Sequence, residues 1–164
     1  IRRMALVTNV GVVTREMTDE DEKDDPNATS KREVPEGVEV YEIDGPFFFG
    51  ASYKFLEAMK VVSKPPKVRI IRMRRVPAMD ATGIHTLKAE YHSAQRHGIA
   101  YLLSDLHAQP LVALERSGVL YEIGEKNVFG NIDDALGRAR EILGLPQVPA
   151  PVPFVPTVRR EGGQ

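Results

Sequence analysis

A chain of 164 residues that is 42% hydrophobic and 27% charged has the make-up of one globular domain able to bury a core without metal or disulfide staples. Its 22 Lys and Arg nearly balance 23 Asp and Glu, for a formal charge of -1, so no global pull toward nucleic acid or anionic lipid is expected. The lack of cysteine excludes a disulfide frame, a thiolate metal site and a cysteine nucleophile, and no stretch has the roughly 18 apolar residues of a spanning helix.

The opening Ile1-Arg2-Arg3-Met4, with two arginines and no initiator methionine ahead of them, fits a stretch leaving a membrane span as well as it fits an arbitrary start. Residues 5–14 are rich in β-branched side chains and predict one strand interrupted at Gly11, so residues 1–16 read as a juxtamembrane segment and first strand. Asp19 to Asp25 holds six acids and one lysine, followed by Pro26-Asn27-Ala28-Thr29-Ser30. Such a run buries too little apolar surface to offset its ordering entropy, and residues 17–33 are expected to form an acidic mobile loop. Asn27-Ala28-Thr29 matches the glycosylation sequon, a short motif without secretory features to support it here.

Residues 34–144 carry the regular periodicities of a core. Val38, Val40 and Ile43 predict a strand that bends near Gly45 and leads into Pro46-Phe47-Phe48-Phe49-Gly50. Phe55, Leu56, Met59 and Val62 predict an amphipathic helix over 51–62, stopped by Pro65-Pro66. Val68, Ile70, Ile71 and Met73 predict a buried strand ending before Pro77, and Ile84, Leu87, Tyr91 and Ala94 a helix closing at Gly98. The apolar run Ile99 to Leu103 suits a strand covered on both faces. Pro110 opens a further helix, with Leu111 and Leu114 on one side and Gly118 at its end. After a short strand at Val128-Phe129, Asn131 caps a last helix through Leu143, with Asp133 and Asp134 at its positive end, Arg138 and Arg140 toward its negative end and Gly144 as the stop. Residues 145–164, with five prolines between 146 and 156, read as a Pro-rich disordered tail. Strands alternating with helices demand crossovers, hence an α/β fold with a mixed, largely parallel sheet and four or so helices packed against it.

The chemistry of a catalyst is not legible. His85 and His92 lie seven residues apart, about 10 Å along a helix, too far for one ion, and His97 and His107 read as solvated like them, so no metal is expected. There is no phosphate-cradling glycine loop, Gly118 to Lys126 having the wrong spacing. Asp80-Ala81-Thr82-Gly83 departs from an aspartic-protease motif at Ala81. No catalytic residues, no cofactor and no enzymatic activity are expected. Two loops stand out instead, Gly45 to Gly50 and Met79 to Gly83, which parallel strands would bring to one C-terminal edge, where ligand and partner sites gather. Pro46, Phe47, Phe48, Phe49, Gly50, Asp80 and Ala81 are candidate interaction residues. Thr82 and Gly83 form a candidate phosphoacceptor or anion site, if the amides of Gly83 and Ile84 open a helix; the alternative is that Thr82 or Asp80 merely caps that helix. Gly83 would serve close packing or an unusual backbone angle. Arg72, Arg74 and Arg75 would either raise the local potential or be solvated.

Gly37 through Ala51, with Val68 to Met73, Val76-Pro77 and Met79-Asp80-Ala81-Thr82-Gly83-Ile84, resembles the STAS domain of SulP-type sulfate and anion transporters; Arg2-Arg3-Met4-Ala5 resembles the stretch leaving that family's last membrane helix. The resemblance runs to about Leu143. It implies a mixed sheet with packed helices, related to bacterial anti-sigma-factor antagonists, in which a hydroxyl of a D-S-[ST]-G segment is phosphorylated to switch partner binding. Ala81 stands at the first hydroxyl position here, which leaves Thr82 as an optional phosphoacceptor. The implied function is a non-catalytic cytoplasmic regulatory and protein-interaction domain at the inner face of the membrane, within an integral membrane protein. Its implied partners are the transmembrane part of the same transporter, a second copy of itself, or a cytoplasmic regulatory protein, and neither nucleic acid nor metal. The alternatives are a free-standing anti-sigma-factor antagonist, against which residues 1–33 argue, and a nucleotide-binding regulatory domain, which lacks its loop.

Overall fold

The computed structural model describes residues 4–8, 12–15, 25–48, 56 and 64–149. In chain order these form β1 (Met4–Thr8), β2 (Val12–Arg15), β3 (Val38–Asp44), β4 (Val68–Arg75), α1 (Ala81–Arg96), β5 (Ala100–Ser104), α2 (Ala108–Arg116), α3 (Val119–Ile123), β6 (Val128–Phe129) and α4 (Ile132–Leu143). The sheet order is β2-β1-β3-β4-β5-β6. β1, β3, β4, β5 and β6 run parallel and β2 antiparallel at one edge, the mixed, largely parallel sheet expected from the alternation of strands and helices.

Period-two alternation sets the two faces of this sheet. Tyr41, Ile43, Ile71, Met73, Tyr101 and Leu103 meet Leu87 and Tyr91 of α1, Leu114 of α2, and Val119 and Ile123 of α3 in one buried cluster. Val38, Val40, Val68, Ile70 and Leu102 meet Ile132, Ala135, Leu136 and Ala139 of α4 in the other. The first six residues of β4 are therefore all buried, as a central parallel strand requires. Each aliphatic side chain so removed from water contributes about 1.5–3 kcal/mol.

Caps follow the local sequence. Asn131 Oδ1 accepts from the Asp134 amide at 2.8 Å and Gly144 ends α4 with a left-handed φ of 70°, so this helix is as expected. Pro110 is buried within the first turn of α2, but Leu111 is exposed while Leu114 is buried, because α2 turns only the Leu114 side toward the sheet. Beyond Gly118, whose φ is 81°, the chain re-enters a helix, α3, which the spacing did not announce.

Three expectations need correction. Residues 5–14 are not one strand but the hairpin β1–β2, with Val7 paired to Val12; Asn9 and Gly11 between them are residues that favour hairpin turns. Residues 25–33 of the expected mobile loop are packed, with a 3-10 turn at Thr29–Lys31 and Ala28, Thr29 and Arg32 buried. Polar composition argued for disorder, but the partners of this segment are ionic and not apolar. Residues 145–149 of the expected tail fold back on α4, the Leu145 amide donating to the Arg140 carbonyl and Gln147 Nε2 to the Gly137 carbonyl at 2.9 Å. Residues 17–24 and 150–164 lie outside the described residues, as does the helix expected over 51–62 apart from Leu56, which is helical.

Candidate functional site

Parallel pairing brings the ends of β3, β4 and β5 to one edge of the sheet, and the two loops singled out by sequence meet there. Gly45, with φ 102°, turns the chain after β3, and its amide donates to the Arg75 carbonyl at 2.9 Å. Phe47 then continues the parallel pairing: its amide donates to Ala78 O at 3.0 Å and it bridges to Met79. The Phe47 ring is fully buried in the α1-side cluster. Gln109 of α2 clamps the other loop from behind, accepting from the Met79 amide at 2.8 Å and donating to the Met79 carbonyl at 3.1 Å.

Gly83 locks the two loops together. A Cβ at this position would lie 2.0 Å from the Phe47 carbonyl oxygen and 3.1 Å from its ring Cδ1. The glycine is thus needed for close approach, and its backbone lies in helix α1 with no unusual angle. Asp80 is the cap, its Oδ1 accepting from the Gly83 amide at 2.8 Å, while the Ile84 amide donates to the Asp80 carbonyl at 3.0 Å. Both amides considered for an anion are therefore committed within the turn. Thr82 is not the cap; it and Ala81 are exposed on the first turn of α1. Pro46 is half-buried and Phe48 is 44% exposed, whereas Phe49 and Gly50 lie outside the described residues.

On the opposite face the same edge is closed by charge, which the sequence reading missed. Glu42, Arg72 and Ser104 stand in register across β3, β4 and β5, and all three are buried. Arg72 donates from Nε to Asp105 Oδ2 at 3.0 Å and from Nη1 to Thr29 Oγ1 at 2.9 Å. Arg74 donates from Nε to Glu42 Oε1 and from Nη1 to Asp25 Oδ2, both at 2.6 Å. Arg75 makes longer contacts, 3.8 Å to Asp44 and to Asp25 and 4.0 Å to Glu42. Arg72 and Arg74 are thus structural ties, while Arg75 is the exposed member of the three. Burial opposes ionisation of Asp25, but the Arg74 bond, the Asn27 amide and the charges of Arg74 and Arg75 outweigh it and hold the carboxyl below its usual range. Asp105 takes a φ of 60°, the one non-glycine residue with positive φ among those described. The available signal was the strand Val68-Arg69-Ile70-Ile71-Arg72-Met73-Arg74-Arg75, whose even positions run from apolar to cationic along one face.

A second polar group lies under α1. Arg69 meets Glu90 at 2.5 Å with both side chains buried, and its guanidinium sits 5.4 Å from the Tyr41 ring centre. Burial, then the hydrogen bond to Glu39, push the Tyr41 hydroxyl well above its ordinary range and keep it protonated. Three of the four histidines are individually engaged, His92 with Glu122 at 3.1 Å, His97 with the Ser93 carbonyl at 2.7 Å and His107 with the Arg74 carbonyl, while His85 is exposed.

The sequence profile described as the STAS domain matches residues 30–135, from the packed turn after Asp25 into α4. The chain belongs to the STAS domain family. A Bacillus subtilis (strain 168) protein named "Putative sulfate transporter YvdB" is 34% identical over 110 residues, which are 66% of this chain and 20% of that protein. The STAS domain thus spans about a fifth of the length of that curated relative. The crystal structure of a sulfate transporter family protein from Wolinella succinogenes superposes with a TM-score of 0.71 at 46% identity, covering 74% of this chain and 99% of the other. The SulP transporter STAS domain from Vibrio cholerae gives a TM-score of 0.61 at 32% identity, covering 75% and 97%. The family and fold implied by the Phe triplet joined to Asp80-Ala81-Thr82-Gly83 are therefore established.

Proposed function

We propose that this STAS domain is a non-catalytic regulatory module on the cytoplasmic side of a SulP-type sulfate or other anion transporter, with the membrane-spanning part of that transporter as its first partner. Support comes from relatives named as sulfate transporters, from the fraction of YvdB that the chain covers, and from the architecture of the two loops. The observation that carries the reading is Thr82. It is exposed, as is Ala81, on a turn in which Asp80 is committed as the cap and Gly83 as the packing point on Phe47. A residue presented so, on a rigid frame that does not need it, suits recognition or phosphorylation better than fold maintenance. Phe48, exposed beside the buried Phe47, supplies apolar contact area on the same loop edge.

The test pairs two measurements on Thr82→Glu. Thermal melting of the isolated domain is expected to move by no more than the equivalent of about 0.5 kcal/mol, the usual range for an exposed position. Anion uptake by the intact transporter carrying the change is expected to shift. Unchanged uptake with a large loss of melting temperature would make Thr82 a structural residue and remove the regulatory assignment.

A further inference from the structure

Residues 25–33 are tied down at both ends. Asp25 and Thr29 accept from Arg74 and Arg72 of β4, and Arg32 reaches α4, donating from Nε and Nη2 to the two carboxylate oxygens of Asp133 at 3.1 Å each. The segment is therefore a strap laid from the C-terminal edge of the sheet to the first turn of α4, and Arg72 beneath it is 1% exposed. A second piece of chain meets the same helix from its far end. Gly144, in its left-handed conformation, lets the Leu145 amide turn back to the Arg140 carbonyl at 2.9 Å, a closure that reverses the chain, and Pro146 bars a further helical turn. Gln147 then donates to the Gly137 carbonyl at 2.9 Å. Gly137, an unfavourable residue inside a helix, leaves room for it, since a Cβ there would lie 3.1 Å from Gln147 Oε1. The chain after Gly144 thus runs back along α4, first at Arg140 and then at Gly137, until residues 147–149 face residues 30–33 across a cleft.

Arg140 spans the two sides. Its Nη1 donates to the Pro146 carbonyl at 3.3 Å, its Nη2 lies 3.7 Å from Glu33 of the strap, and the residue is only 7% exposed. Each contact is weak alone, but a guanidinium so far out of water depends on both. Loss of either wall lets this long side chain swing out to solvent, and the other wall then loses its inner contact. We propose that residues 145–149 act as a latch on the strap: while they lie on α4, Arg140 and Glu33 hold residues 25–33 down, and lifting them lets the strap open and uncovers Arg72 and Arg74. The input is any partner that engages the chain after Gly144, and the output is a change at the C-terminal edge of the sheet. The two places are then linked by one free energy that acts in both directions. The latch involves neither Thr82 nor Phe47 and stands independently of the proposed function.

The experiment is native-state hydrogen exchange on the full chain, on a chain ending at Pro149 and on a chain ending at Gly144, which keeps the α4 cap. The Ala28 and Arg32 amides, bonded to Asp25 O and Thr29 O within the strap, report the latch, and those of Phe47 and Ile84, bonded to Ala78 O and Asp80 O, report the other face. The chain ending at Pro149 should match the full chain. The chain ending at Gly144 should exchange about tenfold faster at Ala28 and Arg32, with Phe47 and Ile84 unchanged within about twofold. Arg140→Met keeps the apolar bulk of the side chain and removes both of its contacts; it should speed the strap by a similar factor, and joining it to the shorter chain should add little, because the two changes break one linkage. The proposal is overturned if the chain ending at Gly144 keeps full strap protection, if all four amides speed up together, if the chain ending at Pro149 behaves like the shorter one, or if the two changes multiply to about a hundredfold.

Discussion

On the α1 face of the sheet, Phe47 and Gly83 close the C-terminal edge through a contact so tight that no side chain fits between them; on the α4 face, Arg72 and Arg74 close the same edge through carboxylates and a hydroxyl. The first closure depends on shape and holds the two loops at one fixed distance. The second depends on charge: it recruits residues 25–33 onto strands whose side chains there are polar. The loop edge proposed as the partner surface is built on the shape-held half, which is where a fixed presentation of Thr82 would have to come from.

The largest break in this comparison is expected from Arg74→Leu, which leaves Glu42 buried at 0% exposure without the cation that hydrogen-bonds it, Arg75 remaining at 4.0 Å. Urea denaturation should show a loss of about 3–5 kcal/mol, and the double change Arg74→Leu with Glu42→Leu should recover most of it, since removing both charges also removes their desolvation cost. An equal loss in the single and double variants would mean that the pair does not close this edge electrostatically. Gly83→Ala comes next. With the Phe47 carbonyl 2.0 Å from the added carbon, the loops must separate or α1 must shift, and about 3 kcal/mol of stability should be lost in the same assay. Gln109→Ala is smaller. It removes both hydrogen bonds to the buried Met79 backbone and should cost about 1–3 kcal/mol, because one buried amide loses its acceptor; a change below about 0.3 kcal/mol would mean that Gln109 does not clamp the loop.

Legibility followed the same division. Apolar periodicity marked β3, β4, α1 and β5 with their buried faces, and the caps at Asn131 and Gly144 were readable because each is one residue satisfying its own neighbours. Gly83 was read as a residue for close approach or for an unusual angle, and only the position of the Phe47 carbonyl, 36 residues back in number, decides between them. The packed segment 25–33 was not legible at all. Its residues have no apolar period, and their partners Arg72, Arg74 and Asp133 lie far along the chain, so composition alone read as disorder. The hairpin β1–β2 was missed because β-branched residues continue on both sides of the turn.

The contrast between a charge-held and a shape-held edge is tested most directly by native-state hydrogen exchange as a function of pH, comparing amides on the two sides. Ala28 and Arg32 donate to Asp25 O and Thr29 O, Phe47 and Ile84 to Ala78 O and Asp80 O. Asp25 has its folded-state pKa depressed, so its contribution is fully present above the ordinary carboxylate pKa and is lost as pH falls through the lowered folded value. Between about pH 6 and about pH 2.5, after correction for intrinsic rates, protection at Ala28 and Arg32 should fall well before protection at Phe47 and Ile84. Loss of protection at all four amides together, or retention at Ala28 and Arg32 after Phe47 and Ile84 have opened, would contradict it.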